Sequence, residues 1–240
     1  MPPTPDSLLP PDELERLRTL RRYDIEQSLN EPVFDAFVNL ATRLFRTPIS
    51  LVALVEEDEV LYPGNQGLPG LAGQPRGEAI CSVVVQQNKA VVITDLAIDD
   101  PGLLTEAAYA AAWAKGLRFY AGAPVRMPDQ RSIGTLCVID RQPRSFSPAE
   151  QQALSQVAEL MGQTIAVRHL CLSDPELGAA RWQILRAVVQ EQLEALVILV
   201  RYLSARDSTA DNYLESTTAR LNDLRRALAD YRQQLDYRQH

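Results

Sequence analysis

Arg118-Phe119-Tyr120-Ala121-Gly122-Ala123-Pro124-Val125-Arg126, a Pro128-Asp129-Gln130 turn and Ser132-Ile133-Gly134-Thr135-Leu136-Cys137-Val138-Ile139 decide the fold. Two apolar runs rich in β-branched and aromatic residues, joined by a turn-forming tripeptide, read as paired strands. Gly122 and Gly134 fall in neighbouring strands, where a missing side chain admits a bulge or a closely approaching group. Upstream, residues 49–55 form a β-branched run bounded by Pro48 and by Glu56-Glu57-Asp58, which reads as a buried strand. Val60-Leu61-Tyr62 is the returning arm of a hairpin, and residues 90–93 are a further strand. Residues 80–86 fit either a short helix or a strand. Residues 63–78 and 94–103 read as loops, the first holding Gly64, Gly67, Gly70, Gly73 and Gly77.

Helices surround these strands. From Asp12 one helical pattern places Leu14, Leu17, Leu20 and Ile25 on one side. Asn30-Glu31-Pro32 opens a second helix, with Val33, Phe34, Phe37, Leu40, Ala41, Leu44 and Phe45 at helical spacing and Pro48 as the stop. An Ala-rich helix over 104–115 ends at Lys115-Gly116. Ser147-Pro148-Ala149-Glu150 supplies an N-cap Ser, Pro at the first position and Glu three after the Ser, so a helix runs from there to about 170. The order predicts an α+β fold: a central antiparallel sheet of five or six strands flanked by helices.

The whole chain has 240 residues, 46% hydrophobic and 23% charged, the profile of a folded globular protein. Its net charge of −7 and pI near 5.0 disfavour nonspecific binding to nucleic acid or to an anionic membrane. No apolar run approaches the roughly 18 residues of a membrane span. The N-terminus has neither a basic start nor an apolar signal core, so a cytoplasmic protein is expected. Residues 1–11 carry five of the sixteen prolines and read as a disordered, extended leader. Cys81, Cys137 and Cys171 with His169 and His240 are the whole supply of soft ligands. That supply argues against a structural zinc site, a Cys–His nucleophile and a disulfide scaffold, so neither a metal nor a cofactor is expected.

Composition changes at Ser173-Asp174-Pro175. Beyond Pro175 there is no proline and a single glycine, Gly178. Trp182, Leu185, Val189, Leu196, Leu199 and Leu203 follow a seven-residue repeat, and Leu214, Thr217, Leu221, Leu224, Leu228, Tyr231 and Leu235 follow another. Ser208 and Asp211 between them resemble a capping box. The pattern predicts a long all-α antiparallel helical hairpin, each arm about 45 Å long. A lone hairpin cannot bury such stripes. Two from two subunits would make a four-helix bundle, with Trp182, Leu185, Val189, Leu196, Leu199, Leu203, Leu221, Leu224, Leu228 and Leu235 at the homodimer interface. Alternatively, the hairpin packs back on its own sheet domain. The domain reading is thus a leader over 1–11, a sheet domain over 12–172 and a hairpin over 173–240.

The stretch from about 22 to 170 resembles the GAF family of small-molecule sensor domains, and in particular the bacterial subgroup found in front of kinases and cyclases. Four blocks carry the likeness: Glu31-Pro32-x-Phe34-Asp35; Ala79-Ile80-Cys81-Ser82 before Val91-Val92-Ile93-Thr94-Asp95; residues 118–124; and residues 133–144, followed by the Ser-Pro-x-Glu helix start. The resemblance implies a sheet with a helical dimer side and a ligand-pocket side. Reactive relatives carry groups that this chain lacks. Those that reduce free methionine sulfoxide need a second cysteine on the lid segment, which here would fall around 95–115. Those that attach a bilin use a Cys usually followed by His. Cyclic-nucleotide binders carry an Asn-Lys pattern continued by Phe-x-x-x-Asp-Glu, and only Asn88-Lys89 is present here. Residues 193–206 resemble the dimerisation helix of one histidine-kinase class, without a histidine at 187–190 to accept phosphate.

The expectation is therefore a non-enzymatic, cytoplasmic sensory module. Its pocket would take an unknown small molecule, with Tyr62, Cys81, Val83, Asp95, Tyr109, Trp113, Phe119 and Thr135 as lining residues, apolar walls with a few polar handles. The helix from Ser147 would pass the signal to the hairpin. A rival expectation is a ligand-free dimerisation and docking module for a separate kinase or regulator, and a minor one is a redox sensor through Cys81.

Overall fold

The computed structural model describes residues 8–98, 102–176, 178–205 and 210–238. In chain order its elements are α1 (Glu13–Arg22), α2 (Ile25–Ser28), α3 (Pro32–Phe45), β1 (Ile49–Val55), β2 (Glu59–Gln66), β3 (Gly73–Pro75), α4 (Cys81–Gln87), β4 (Val91–Ile93), α5 (Glu106–Ala114), β5 (Phe119–Arg126), β6 (Ser132–Asp140), α6 (Pro148–Leu172), α7 (Gly178–Ala205) and α8 (Ala210–Arg238). The six strands form one antiparallel sheet in the order β3-β2-β1-β6-β5-β4. The β5–β6 pair that opened the sequence reading lies inside the sheet, and Tyr120 stands opposite Ile139.

Strand alternation divides the interior into two cores, one on each face. Phe119, Ala121, Ala123, Leu136 and Val138 join α3 and α6 on one face. Tyr120, Cys137 and Ile139 join Leu51, Ala53, α4 and α5 on the other. α6 starts as its sequence dictates: the Ser147 hydroxyl accepts from the Glu150 N–H at 3.2 Å, and the Glu150 carboxylate accepts from the Ser147 N–H at 2.7 Å.

Several local expectations shift. The ambiguous residues 80–86 are helical, as α4. Part of the expected 63–78 loop extends β2 and forms the short edge strand β3. The single helix expected from Asp12 is two helices, broken at Tyr23-Asp24, where Asp24 has a φ of +48°. Leu14 does not share the buried face of Leu17 and Leu20 and is 62% exposed. The cap of α3 is Glu31 rather than Asn30. The leader expectation fails at its end: Leu8 is buried, and its carbonyl accepts from Arg76 at 3.3 Å, so the chain is packed before Asp12. Residues 1–7 lie outside the described residues.

The hairpin takes the alternative course. α7 lies on α3 and α8 lies on α6. Trp182, Val189, Leu193, Leu196 and Val200 of α7, with Tyr213, Leu214, Leu221, Leu228 and Leu235 of α8, belong to the same continuous core as Phe37 and Leu160. The residues expected at a dimer interface are therefore used within one chain. Trp182, Val189, Leu196, Leu221, Leu228 and Leu235 are buried there, and Leu185, Leu199, Leu203 and Leu224 are half-buried. The physical reason is proximity: α3 and α6 present an apolar surface to a covalently attached hairpin, and no second chain has to be recruited. Each fully buried side chain of this kind contributes about 1.5–3 kcal/mol. Ser208 of the expected capping box lies outside the described residues.

Candidate functional site

The face of the sheet opposite the hairpin carries the candidate pocket. Its floor is Leu51 of β1, Tyr62 of β2, Tyr120 of β5 and Ile139 of β6. Its walls are Leu68, Leu71 and Ile80-Cys81, and its roof is Ala108, Ala111 and Ala112 of α5. The cavity is about 30 Å³, room for one or two waters. The walls are shaped locally. The Asn65 side-chain amide donates to the carbonyls of Leu68 at 2.7 Å and Leu71 at 2.8 Å and so folds the β2–β3 loop inward. Gly122 has no side chain because the Tyr120 phenol lies over it, where a Cβ would collide with the ring and hydroxyl.

α5 is a light roof. Of its nine residues only Ala108 and Ala112 are buried. Thr105 caps it by accepting from the Ala108 N–H at 3.0 Å, and the same hydroxyl donates to the Gly77 carbonyl at 2.5 Å. At the other end Lys115 Nζ donates to Gln74 Oε1 at 3.2 Å.

Under this roof an apolar core holds a cluster of hydroxyls and thiols. The Tyr120 hydroxyl donates to Cys81 Sγ at 3.5 Å, and Cys137 Sγ donates to the Leu51 carbonyl at 3.7 Å. The Thr135 hydroxyl is buried without a hydrogen-bond partner. A hydrogen bond with Cys137 outweighs burial and draws the Cys81 thiol down to about 7, while the same bond and burial push Cys137 up. Burial first, and then the neighbouring thiols, push both Tyr62 and Tyr120 above the ordinary phenol range. The cluster can hydrogen-bond one polar end of a small molecule, whose remainder would meet leucine, isoleucine and alanine. Among the described residues no group of three or more His, Cys, Asp or Glu could hold a metal ion.

The GAF domain family model matches residues 30–165, more than half of the chain. This chain belongs to the GAF family. Over 135 residues it is 27% identical to a cyclic di-GMP phosphodiesterase of Pseudomonas aeruginosa, covering 56% of this chain and 22% of that protein, so it spans about a fifth of that relative's length. Among solved structures it is similar to the GAF domain of a phosphoenolpyruvate-protein phosphotransferase from Acinetobacter, 22% identical with a TM-score of 0.48, covering 67% of this chain and 98% of that one. It is also similar to a type II free methionine-R-sulfoxide reductase from Thermoplasma acidophilum, 20% identical with a TM-score of 0.41, covering 50% and 79%. No helix among the described residues is long and apolar enough to cross a membrane.

The GAF pocket gathers only some of the residues expected to line it. Tyr62 and Cys81 line it, and Thr135 is buried beneath them on the same sheet face. Phe119 does not. It points into the opposite core and packs against Phe146 in a tilted pair at 5.5 Å, and its neighbour Tyr120 holds the pocket position. Val83 is buried in the adjoining core. Asp95 turns away to a bidentate pair with Arg118, at 2.7 Å to each oxygen, which holds its carboxyl below the usual range. Tyr109 and Trp113 lie on the outer side of α5 and, with Leu96 and Ile98, line an open groove in which Trp113 is 64% exposed. The sequence reading missed Tyr120, Leu68, Leu71, Gln74 and Lys115. The parity of β5 was the available signal for Tyr120, because Cys137 and Tyr120 had to share a face if Cys81 was to meet either.

Proposed function

We propose that this GAF chain is a non-enzymatic sensory and signalling module. In this reading a small, mainly apolar molecule with one polar end enters beneath α5, and the helical layer across the sheet carries the response. The observation that carries it is the group of buried hydroxyls and thiols at Tyr62, Cys81, Tyr120 and Thr135, set in an apolar core under a helix with two buried residues. Buried polar groups with incomplete hydrogen bonding are costly to keep for packing alone. A lightly anchored helix above them is the element that opens at least cost. Phe119 and Tyr120 are adjacent in β5 and face opposite cores, so a shift of Tyr120 reaches α6 directly.

The reading includes a homodimer, but through a face different from the expected stripe. Ile184 is 69% exposed and Ile198 is 66% exposed, and Val188 and Tyr202 are exposed on the same side of α7. The four positions are self-complementary about Leu193: with two copies of α7 antiparallel, Ile184 meets Tyr202 and Val188 meets Ile198. A twofold interface requires this matching. The stripe runs for about 27 Å, long enough for a helix-to-helix contact.

One observation favours a second reading, a docking module for a separate kinase or regulator with no ligand: the cavity of about 30 Å³ is nearly filled by side chains. The likeness of the hairpin to a histidine-kinase dimerisation helix lacking its phosphoacceptor fits this as well. Extraction of small molecules from the denatured protein after purification from its source separates the two. The first reading expects a released compound in stoichiometric amount from the natural chain and none from Gly122→Val, whose extra methyls drive the Tyr120 ring into the cavity. Nothing from either leaves the docking reading, and equal yields from both place the compound outside the pocket under α5.

A further inference from the structure

We propose that the seam between the GAF domain and the second hairpin helix is a binding site for a small molecule that carries a phosphate or pyrophosphate group. This site is distinct from the pocket under α5 and stands or falls independently of it. A cavity of about 280 Å³ lies between the end of β5 with its following turn, α6 and α8. Its charged lining is Arg126, Arg225 and Arg232 against Glu159. Three cations and one anion leave a net of +2 around the cavity, in a chain whose net charge is −7.

The arginines are held ready. Arg126 donates from Nε to Asn88 Oδ1 at 2.9 Å and from a terminal nitrogen to the Asn88 carbonyl, which fixes its plane. Arg225 pairs with Glu159 at 2.8 Å and reaches Asn222 Oδ1 at 3.3 Å, yet its Nε is buried without a hydrogen-bond partner. The Gln163 amide oxygen is buried without one too. Arg232 makes no hydrogen bond or ion pair with any described residue and is half-buried at the same cavity. Unmet guanidinium donors in a partly dehydrated cavity are unfavourable until an acceptor arrives. Phosphate oxygens match the guanidinium fork in charge and geometry, and a hydroxyl or amide on the same molecule would satisfy Gln163.

The floor of the cavity is rigid. A side chain at Gly162 would collide with the Arg126 carbonyl, so α6 sits hard against the end of β5. A ligand bridging Arg126 on the sheet and Arg232 on α8 would therefore fix the second hairpin helix relative to the sheet. The size is at the lower end of small-molecule sites, which suits a compact phosphorylated metabolite. A second basic cleft, with Arg43, Arg46 and Arg201, is more open, and its Arg46 is engaged over the Tyr213 ring at 5.1 Å.

The test is isothermal titration calorimetry on the full chain near physiological ionic strength, with inorganic phosphate, inorganic pyrophosphate and ADP as separate probes. The expected result is saturable binding of at least one probe with one site per chain. Arg232→Gln and Arg225→Gln should weaken it by at least about tenfold, and Arg201→Gln should leave it unchanged. ADP binding more tightly than pyrophosphate identifies an organic phosphate as the ligand class, and the reverse order identifies the bare anion. Arg232→Gln should melt no lower than the natural chain without probe, because it removes a cation whose side chain has no partner among the described residues. Failure of all three probes to saturate, equal affinity in Arg232→Gln, or loss in Arg201→Gln alone would overturn the proposal.

Discussion

Trp182 of α7 donates its indole N–H to a carboxylate oxygen of Glu31 at 2.7 Å, joining residues 151 positions apart. The other oxygen of Glu31 accepts from Arg168 Nε at 2.5 Å, and Arg186 lies 3.4 Å from the first. Arg168 in turn donates to the Ser28 hydroxyl at 2.9 Å. One carboxylate at the start of α3 thus ties α6 and α7 to the same point. Glu31→Ala leaves the Nε–H of the largely buried Arg168 guanidinium and the Trp182 indole N–H without an acceptor. The expected cost is about 3 kcal/mol, read as a lower urea midpoint with an unchanged slope. A midpoint within experimental error of the natural chain would show that the hairpin is held by apolar packing alone.

The Tyr120 ring over Gly122 predicts a coupled pair. Gly122→Ala places a methyl against the phenol and should cost about 1–3 kcal/mol. Adding Tyr120→Phe removes the hydroxyl that a Cβ at Gly122 meets first, so the double variant should be less destabilised than the sum of the singles by at least about 0.5 kcal/mol. Additive losses in denaturant unfolding would mean that the two side chains do not compete for the same space.

Acid should weaken the tie between the N-terminal segment and the sheet domain. Glu13 is partly buried, and burial alone would raise its pKa. Hydrogen bonds from Arg16 and Arg76, at 2.7 and 2.5 Å, outweigh this and hold the carboxyl near 2, below its ordinary 4.5. A lowered pKa in the folded state means that the stabilisation is complete above the unfolded value and is lost as pH falls through the folded one. Stability should therefore decline between about pH 4.5 and pH 2, and Glu13→Gln should flatten that part of the profile. Urea midpoints measured across this range check the slope. Identical slopes in both proteins would contradict the assignment to Glu13.

The Cys81 thiol combines a pKa drawn down to about 7 with burial under α5. Reactivity requires access as well as thiolate. Labelling of Cys81 in the native protein at pH 8 should be at least about a hundredfold slower than in the unfolded chain, because it waits for α5 to open. Lys115→Ala, which removes the contact to Gln74, should speed it severalfold. Native labelling as fast as that of an exposed thiol would favour the redox-sensor reading.

Much of the fold was legible because it rests on short-range patterns. The β5–β6 alternation, the Ser147–Glu150 cap and the stop at Ser173 each carry their own local signal. The partner of the hairpin was not. A heptad pattern such as Trp182, Val189 and Leu196 states that one face of a helix is buried, and nothing in it distinguishes α3 of the same chain from α7 of another. The second stripe, Ile184, Val188, Ile198 and Tyr202, gains meaning only once the first is known to be occupied. The site was half legible for a similar reason. Tyr62 and Cys81 could be chosen as polar groups in apolar surroundings, but Phe119 and Tyr120 differ only in strand parity, and the pocket face is set by tertiary packing. Asp95 was misplaced because Arg118, its partner, lies 23 positions away across a helix.

Native mass spectrometry of the protein purified from its source weighs subunits and retained molecules together. The account predicts a dimer whose mass exceeds twice that of the 26.7 kDa chain by one small molecule per subunit, and a monomer for Ile198→Lys with that molecule still bound. A bare monomer at micromolar concentration, with no added mass on the natural chain, would contradict it.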